Sequence, residues 1–376
     1  MPSATTTLTN SHAVHTNGFS KSTPEVFGQL KKDVIDEIKS RLRIQIQDEV
    51  RASLGSQYQD AIHSNSPTAP ALNDPPPSIF TAQCHPLVEE ATRDVDGYYL
   101  RHWPFPDEKA RKKFVAAGFS RVTSLYFPKA LNDRIHHACS LLTILFLIDD
   151  QLEDMSLADG KAYNDSLMPL CRGDVLPDRS VPVQWMMYDL WEDMRKCDKA
   201  LAISVEEPVF EFMRAQTAKE RLQVRGLGNY LEYRQADVGQ GLLAALGRYS
   251  MGLHLTEAEL ESLKPVDRNT GRHIAIINDI YSYEKELVSS KTGHIEGSFL
   301  CSAVPIFADE TNVSIPAAKN VLYCLAREWE VVHRMMVEER EAAGCSETIS
   351  RYMEGLEYHM SGNERWSQST LRYSQV

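Results

Sequence analysis

The segment Leu141–Asp154, LLTILFLIDDQLED, decides how the chain is read. An almost unbroken apolar run, Leu141–Ile148, ends in Asp149, Asp150, Glu153 and Asp154. The longer stretch NDRIHHACSLLTILFLIDDQLED reads as one helix, with Asn132 or Asp133 as its cap. Apolar residues nearly all round the run make it a buried helix rather than a surface one. At about 100° per residue, Asp149 and Glu153 share a face, as do Asp150 and Asp154. Carboxylates there oppose the negative end of the helix dipole and repel one another at i, i+4. A divalent cation reverses that balance, because hard oxygen ligands of this kind hold Mg²⁺ and bridge it to substrate phosphates. Taken alone, D-D-x-x-E fits an acidic helix end facing solvent as well.

Working outward, a second segment repeats the construction. In INDIYSYEKE, Asn278, Ser282 and Glu286 are spaced i, i+4, i+8. On a helix they fall at about 0°, 40° and 80°, a single face. An amide oxygen, a hydroxyl and a carboxylate form a plausible Mg²⁺ chelate. Lys285 beside them is a compact cation suited to a phosphate oxygen. The preceding HIAIIN is again apolar. A polar helix end exposed to water is the plain alternative for this segment by itself.

The rest of the chain sets the frame. It has 376 residues, 43% hydrophobic and 24% charged, enough for one large domain or two smaller ones. The formal charge of −12 argues against a nucleic-acid surface and would repel an anionic substrate unless metal ions intervene. Seven cysteines without a C-x-x-C read as reduced thiols, and a cytoplasmic location is expected. The N-terminus lacks the basic and apolar regions of a secretory signal, and no run is long enough to span a bilayer. Residues 1–80 read as an extension: a disordered polar start, an amphipathic helix over 24–54 and a Pro-rich linker over 64–78. From there to residue 376 helical patterns succeed one another, β alternation is scarce and no repeat occurs, so one all-α domain over 81–376 is expected. TEAELESLK and GRHIAIINDIYSYEKELVSS read as two of its helices, and DEKARKKFVAAGFSRVTSLY as another.

With both clusters in hand, residues from about 83 to 376 resemble the class I terpene synthases, specifically fungal sesquiterpene cyclases. Asp149-Asp150-Gln151-Leu152-Glu153 resembles their aspartate-rich motif, though it ends in Glu where Asp is usual. Asn278 to Glu286 resembles their Asn-Ser-Glu metal triad with its Lys-Glu ending. GNERWSQSTLRY resembles the terminal signature in which Arg372 and Tyr373 reach the pyrophosphate. Arg234, 44 residues before Asn278, stands where the family keeps a pyrophosphate-sensing arginine. Asp237 then falls on the linker position, and Val238 on the effector at a helix break that Gly239 would permit. Arg234 taken alone would read as a surface arginine.

The resemblance implies a helical bundle around an apolar active-site cavity. It implies a cyclase that ionises a prenyl diphosphate, farnesyl diphosphate being favoured, and cyclises the cation to a hydrocarbon or alcohol. Three Mg²⁺ ions, with Mn²⁺ as a substitute, would bind the diphosphate through Asp149, Asp150 and Glu153 and through Asn278, Ser282 and Glu286. Arg234, Lys285, Arg372 and Tyr373 would hydrogen-bond the leaving group. Phe119, Tyr126, Phe146 and Trp366 are candidates for the wall that faces the carbocation, with plain core packing the alternative for each. His136, His137 and His273 read as satisfied core or surface histidines. A homodimer is common in the family. No motif selects a product skeleton; a bridged alcohol of the longiborneol sort is one family possibility. The competing readings are a chain-elongating prenyltransferase, which needs two D-D-x-x-D motifs, and a non-catalytic helical lipid-binding protein.

Overall fold

The computed structural model describes residues 76–373. The amphipathic stretch 24–54 and nearly all of the Pro-rich stretch lie outside them. The helices are α1 (Val88–His102), α2 (Glu108–Ala117), α3 (Phe119–Tyr126), α4 (Ile135–Leu152), α5 (Leu157–Arg172), α6 (Pro182–Cys197) and α7 (Lys199–Gln216). After a 3₁₀ turn at Lys219–Leu222 come α8 (Leu227–Asp237), α9 (Gln240–Met251), α10 (Glu257–Thr292), α11 (Ala303–Thr311), α12 (Ile315–Ala342) and α13 (Glu347–Ser369). Among the described residues there is no strand, no disulfide, and no helix long and apolar enough to cross a membrane.

The apolar run is the buried centre of the bundle. Leu141, Ile144, Leu145, Leu147 and Ile148 are all within the main core, packed with Met187, Trp191, Phe210 and Leu246 of α6, α7 and α9. Burying each such side chain stabilises the fold by about 1.5–3 kcal/mol. Helix α4 is therefore fixed along its length by its apolar residues, and its C-terminal turn carries the acids to the surface.

Three boundaries differ from the sequence reading and a fourth agrees with it. Helix α4 starts at Ile135 with Arg134 at the cap position and no side-chain cap bond. Neither Asn132 nor Asp133 caps it, because Arg134 is drawn inward to the Tyr249 carbonyl at 2.8 Å and to Asp198 at 3.2 Å. DEKARKKFVAAGFSRVTSLY is two helices, parted at Gly118, whose φ of 66° is a left-handed conformation that glycine adopts freely. TEAELESLK and GRHIAIINDIYSYEKELVSS are one helix, α10, of 36 residues, which runs through Pro265. The missing Pro265 N–H costs one backbone bond; packing along α12 and α13 outweighs it. The fourth is a break that the sequence reading anticipated: α8 ends at Asp237 and Gly239 turns with φ 75° into α9.

Candidate active site

Five elements meet at the exposed turn of α4. They are α4 itself, the C-terminal end of α7, the last turn of α8, the middle of α10 and the segment that follows α13. Asp149, Asp150 and Glu153 each present an oxygen within 4.8 Å of the others. The side chains of Asp149 and Asp150 keep 40% and 41% exposure, so the cluster forms a rim rather than a buried ion pair.

Every cation of the sequence reading reaches this rim or its neighbour. Arg372 grips Asp150 with both guanidinium nitrogens, at 2.6 and 3.2 Å, and lies 3.8 Å from Asp149. Lys285 pairs with Glu153, which also accepts from Ser289 Oγ at 3.1 Å. Arg234 pairs with Asp237 and donates to Asn278 Oδ1 at 2.9 Å and Asp279 Oδ1 at 3.2 Å. Asn278 Nδ2 in turn donates to the Tyr373 hydroxyl at 3.0 Å. Ser282 Oγ donates to Glu286 at 2.6 Å. The two clusters, 132 residues apart at Glu153 and Lys285, are thus neighbours in space. Val238 follows at the break and closes α8 by donating its N–H to the Arg234 carbonyl at 2.7 Å.

The electrostatics follow from this arrangement. Burial, then the charge of Glu153, pushes the Asp149 carboxyl up to about 6. Burial would also raise Asp150, but the Arg372 charge and hydrogen bonds hold it below the usual carboxylate range. Asp279, fully buried, is pushed up to about 6 by burial although Arg234, Tyr230 and the Ala303 N–H all donate to it. Asp149 is therefore the least compensated acid of the rim: its close partner is neutral Gln216, whose Nε2 donates at 2.8 Å.

The donor set fits a hard divalent cation. All the ligating atoms of both clusters are oxygens, and Gln216 Oε1, buried beside Asp149, has no hydrogen-bond partner among the described residues. The same site fits an anion, since the buried Nε atoms of Arg234 and Arg221 also lack partners.

Below the rim lies an aromatic patch. Phe119 and Phe146 stack at 4.5 Å with an interplanar angle of 9°. Trp366 follows at 6.1 Å from Phe146 and meets Tyr373 edge-on at 5.3 Å. The Arg372 guanidinium sits 5.4 Å from the Phe119 ring and 5.9 Å from that of Phe146. Trp366 donates its indole N–H to the Ala117 carbonyl at 2.9 Å. Tyr126 stands apart from this stack, packed edge-on against His359 with its hydroxyl on Asn363. His273 is buried with Nε2 3.1 Å from Glu330, His137 meets the Tyr249 hydroxyl at 2.7 Å, and His136 lies 3.7 Å from Asp94.

Sequence reasoning missed Gln216, Ser289, Arg221 and Asp279. Gln216 and Arg221 have no local signal, being brought in by the end of α7 and the 3₁₀ turn, and Ser289 lies one turn beyond Lys285 on α10, where a serine carries no signal of its own. Asp279 was visible as the residue after Asn278, but the spacing says nothing of its complete burial.

Comparison with known proteins agrees with this geometry. Residues 140–330 match the model of terpene synthase family 2, C-terminal metal binding. Aristolochene synthase of Aspergillus terreus is 60% identical over 304 residues, 81% of this chain and 95% of that protein. The (+)-aristolochene synthase of Penicillium expansum is 58% identical over 80% of this chain and 91% of its own length. The crystal structure of aristolochene synthase from Penicillium roqueforti superposes with a TM-score of 0.72 at 54% identity, covering 79% of this chain and all of that one. Hedycaryol synthase shares the fold, with a TM-score of 0.62 at 19% identity over 78% of this chain and 100% of its own. The chain belongs to the terpene synthase family.

Proposed function

We propose that this terpene cyclase ionises farnesyl diphosphate and closes the resulting C15 cation to aristolochene. Similarity to aristolochene synthases supports the substrate and product, and the observation that carries the ionisation chemistry is the continuous chain Asp150–Arg372–Tyr373–Asn278–Arg234, which ties both acidic clusters to one aromatic patch. Three Mg²⁺ ions, or Mn²⁺ in their place, would be held by Asp149, Asp150 and Glu153 and by Asn278, Ser282 and Glu286, and would neutralise charge on the departing diphosphate.

The chain's own groups supply the rest. Arg234, Lys285, Arg372 and Tyr373 donate hydrogen bonds to the leaving group, preorganised on helix ends so that little reorganisation is needed as charge develops. Arg234, Lys285 and Arg372 are each paired with an acid before ligands arrive. Binding metals and diphosphate together lets every pair exchange partners, whereas either alone would strand charges. Asp237 and Asp279 hold Arg234 in place from beneath. Phe119, Phe146 and Trp366 offer π faces that stabilise a carbocation and exclude the water that would quench it. Val238, at the α8 break, sits where a shift of Arg234 would be passed to the cavity.

The test is product analysis after incubation with Mg²⁺ and C10, C15 or C20 diphosphates. Aristolochene from the C15 substrate alone, lost on chelation with EDTA, is expected. A longer diphosphate would mark a prenyltransferase, and no turnover a carrier. The site residues all lie at or beyond Phe119, so removing residues 1–60 is expected to spare the specific activity; a complete loss would give that segment a part in the site.

A further inference from the structure

The loop after α10, Gly293–Ser298, lies over the C-terminal end of α4 and meets it through backbone. The His294 N–H donates to the Glu153 carbonyl at 3.1 Å. A Cβ on Gly297 would collide with the carbonyl oxygens of Leu152 and Met155 and stand 3.1 Å from that of Glu153. A Cβ on Gly293 would stand 3.1 Å from the same Glu153 oxygen and 2.9 Å from Ser298 Cβ. Five residues beyond the end of α4, Glu296 Oε2 accepts the Leu157 N–H at 3.0 Å, at the start of α5. The loop also holds its own shape: Ser298 donates to the His294 carbonyl from both N and Oγ, and the Glu296 N–H donates to His294 Nδ1 at 3.2 Å.

From these contacts we infer that Gly293–Ser298 is a clasp that sets the spacing between the two metal-ligand clusters, with His294, Glu296 and Gly297 as positioning residues. The last carbonyls of a helix lack intrahelical partners and are free to move unless something seals them. Here the sealing loop belongs to α10, the helix that carries Asn278, Ser282 and Glu286. Glu153 is thereby held at both ends, its carboxylate by Lys285 and Ser289 and its carbonyl by His294, all from α10 or its extension. The acidic rim cannot slide along α10 without breaking these bonds. Any side chain at position 297 would push the two apart at the point of closest approach.

The inference rests on the metal reading above, so the test has two readouts. The first is hydrogen exchange of residues 150–157 in the metal-free protein. Gly297→Ala is expected to accelerate it about 10-fold or more, with exchange in α1 and α12 unchanged. The second is titration of inorganic pyrophosphate at graded Mg²⁺. The Mg²⁺ needed for half-maximal binding is expected to rise about 10- to 100-fold, the scale on which disturbing the groups that orient metal ligands lowers metal affinity. Glu296→Ala, which removes only the contact to α5, should move both readouts the same way by less, and serves if Gly297→Ala does not fold. Unchanged exchange in both variants overturns the clasp. Faster exchange with an unchanged Mg²⁺ requirement makes the loop structural only and overturns its positioning role. Wild-type protein that binds pyrophosphate without any need for Mg²⁺ overturns the metal reading itself, while the exchange data still report on the loop.

Discussion

Asp149→Ala is expected to lower turnover of farnesyl diphosphate by about 10²–10³-fold, the usual cost of removing one preorganised charge-stabilising group. The fold should survive. The Asp149 side chain is 40% exposed, and its close partner is a neutral amide, so its loss strands no buried charge. Circular dichroism and thermal melting should match the parent, because like charges at i, i+4 repel in the ligand-free state and removing one relieves that repulsion. Near-normal rates in this variant would remove Asp149 from the site. Asp150→Ala differs in kind, because it frees Arg372 from its bidentate grip and alters the anion site as well.

The largest loss of stability is expected far from the rim, at Glu330. It is fully buried and accepts from Ser78 Oγ at 3.0 Å, the Ile79 N–H at 2.8 Å and Arg327, with His273 Nε2 at 3.1 Å. Arg327 continues the network to Glu364 on α13 and to the Pro76 carbonyl. Glu330→Ala takes the acceptor from buried His273, from the Ser78 hydroxyl and from the Ile79 N–H, and leaves Arg327 with Glu364 and the Pro76 carbonyl alone. Breaking a buried charge network in this way costs about 3–5 kcal/mol, to be read as a lower midpoint in urea. The sign of the pH effect can be worked out. Burial would raise the Glu330 carboxyl, but the His273 hydrogen bond and charge hold it below its ordinary value of 4.5. Its stabilisation is therefore full above the unfolded pKa and is lost as pH falls through the lower, folded one. The gap between wild type and variant should be constant near neutrality and narrow in acid. Equal midpoints at pH 7 would contradict this account.

Much of the site was legible because its ligands are local in sequence. Helical spacing places Asn278, Ser282 and Glu286 on one face whatever surrounds them, and their observed neighbourhood, with Ser282 on Glu286, follows from that spacing. The break at Val238 was legible because Gly239 frees the backbone there. The continuity of α10 through Pro265 was not, since the propensity of a proline is local while the packing that overrides it comes from α12 and α13. The cap of α4 failed for a related reason: Asn132 and Asp133 had the right chemistry, but Arg134 had tertiary partners.

By itself the sequence determined the helical class, the buried character of Leu141–Ile148 and the grouping of hard oxygen donors on two helix faces, because each depends on residue type and on a fixed angle per residue. Only the tertiary structure decided which groups those ligands would face. Gln216 on Asp149, Arg372 on Asp150, and the seating of Gly297 over the end of α4 join segments that the chain keeps far apart. Periodicity tells which side of a helix is apolar; the partner that covers it, and so the charge beside each carboxylate, is set by how the helices pack.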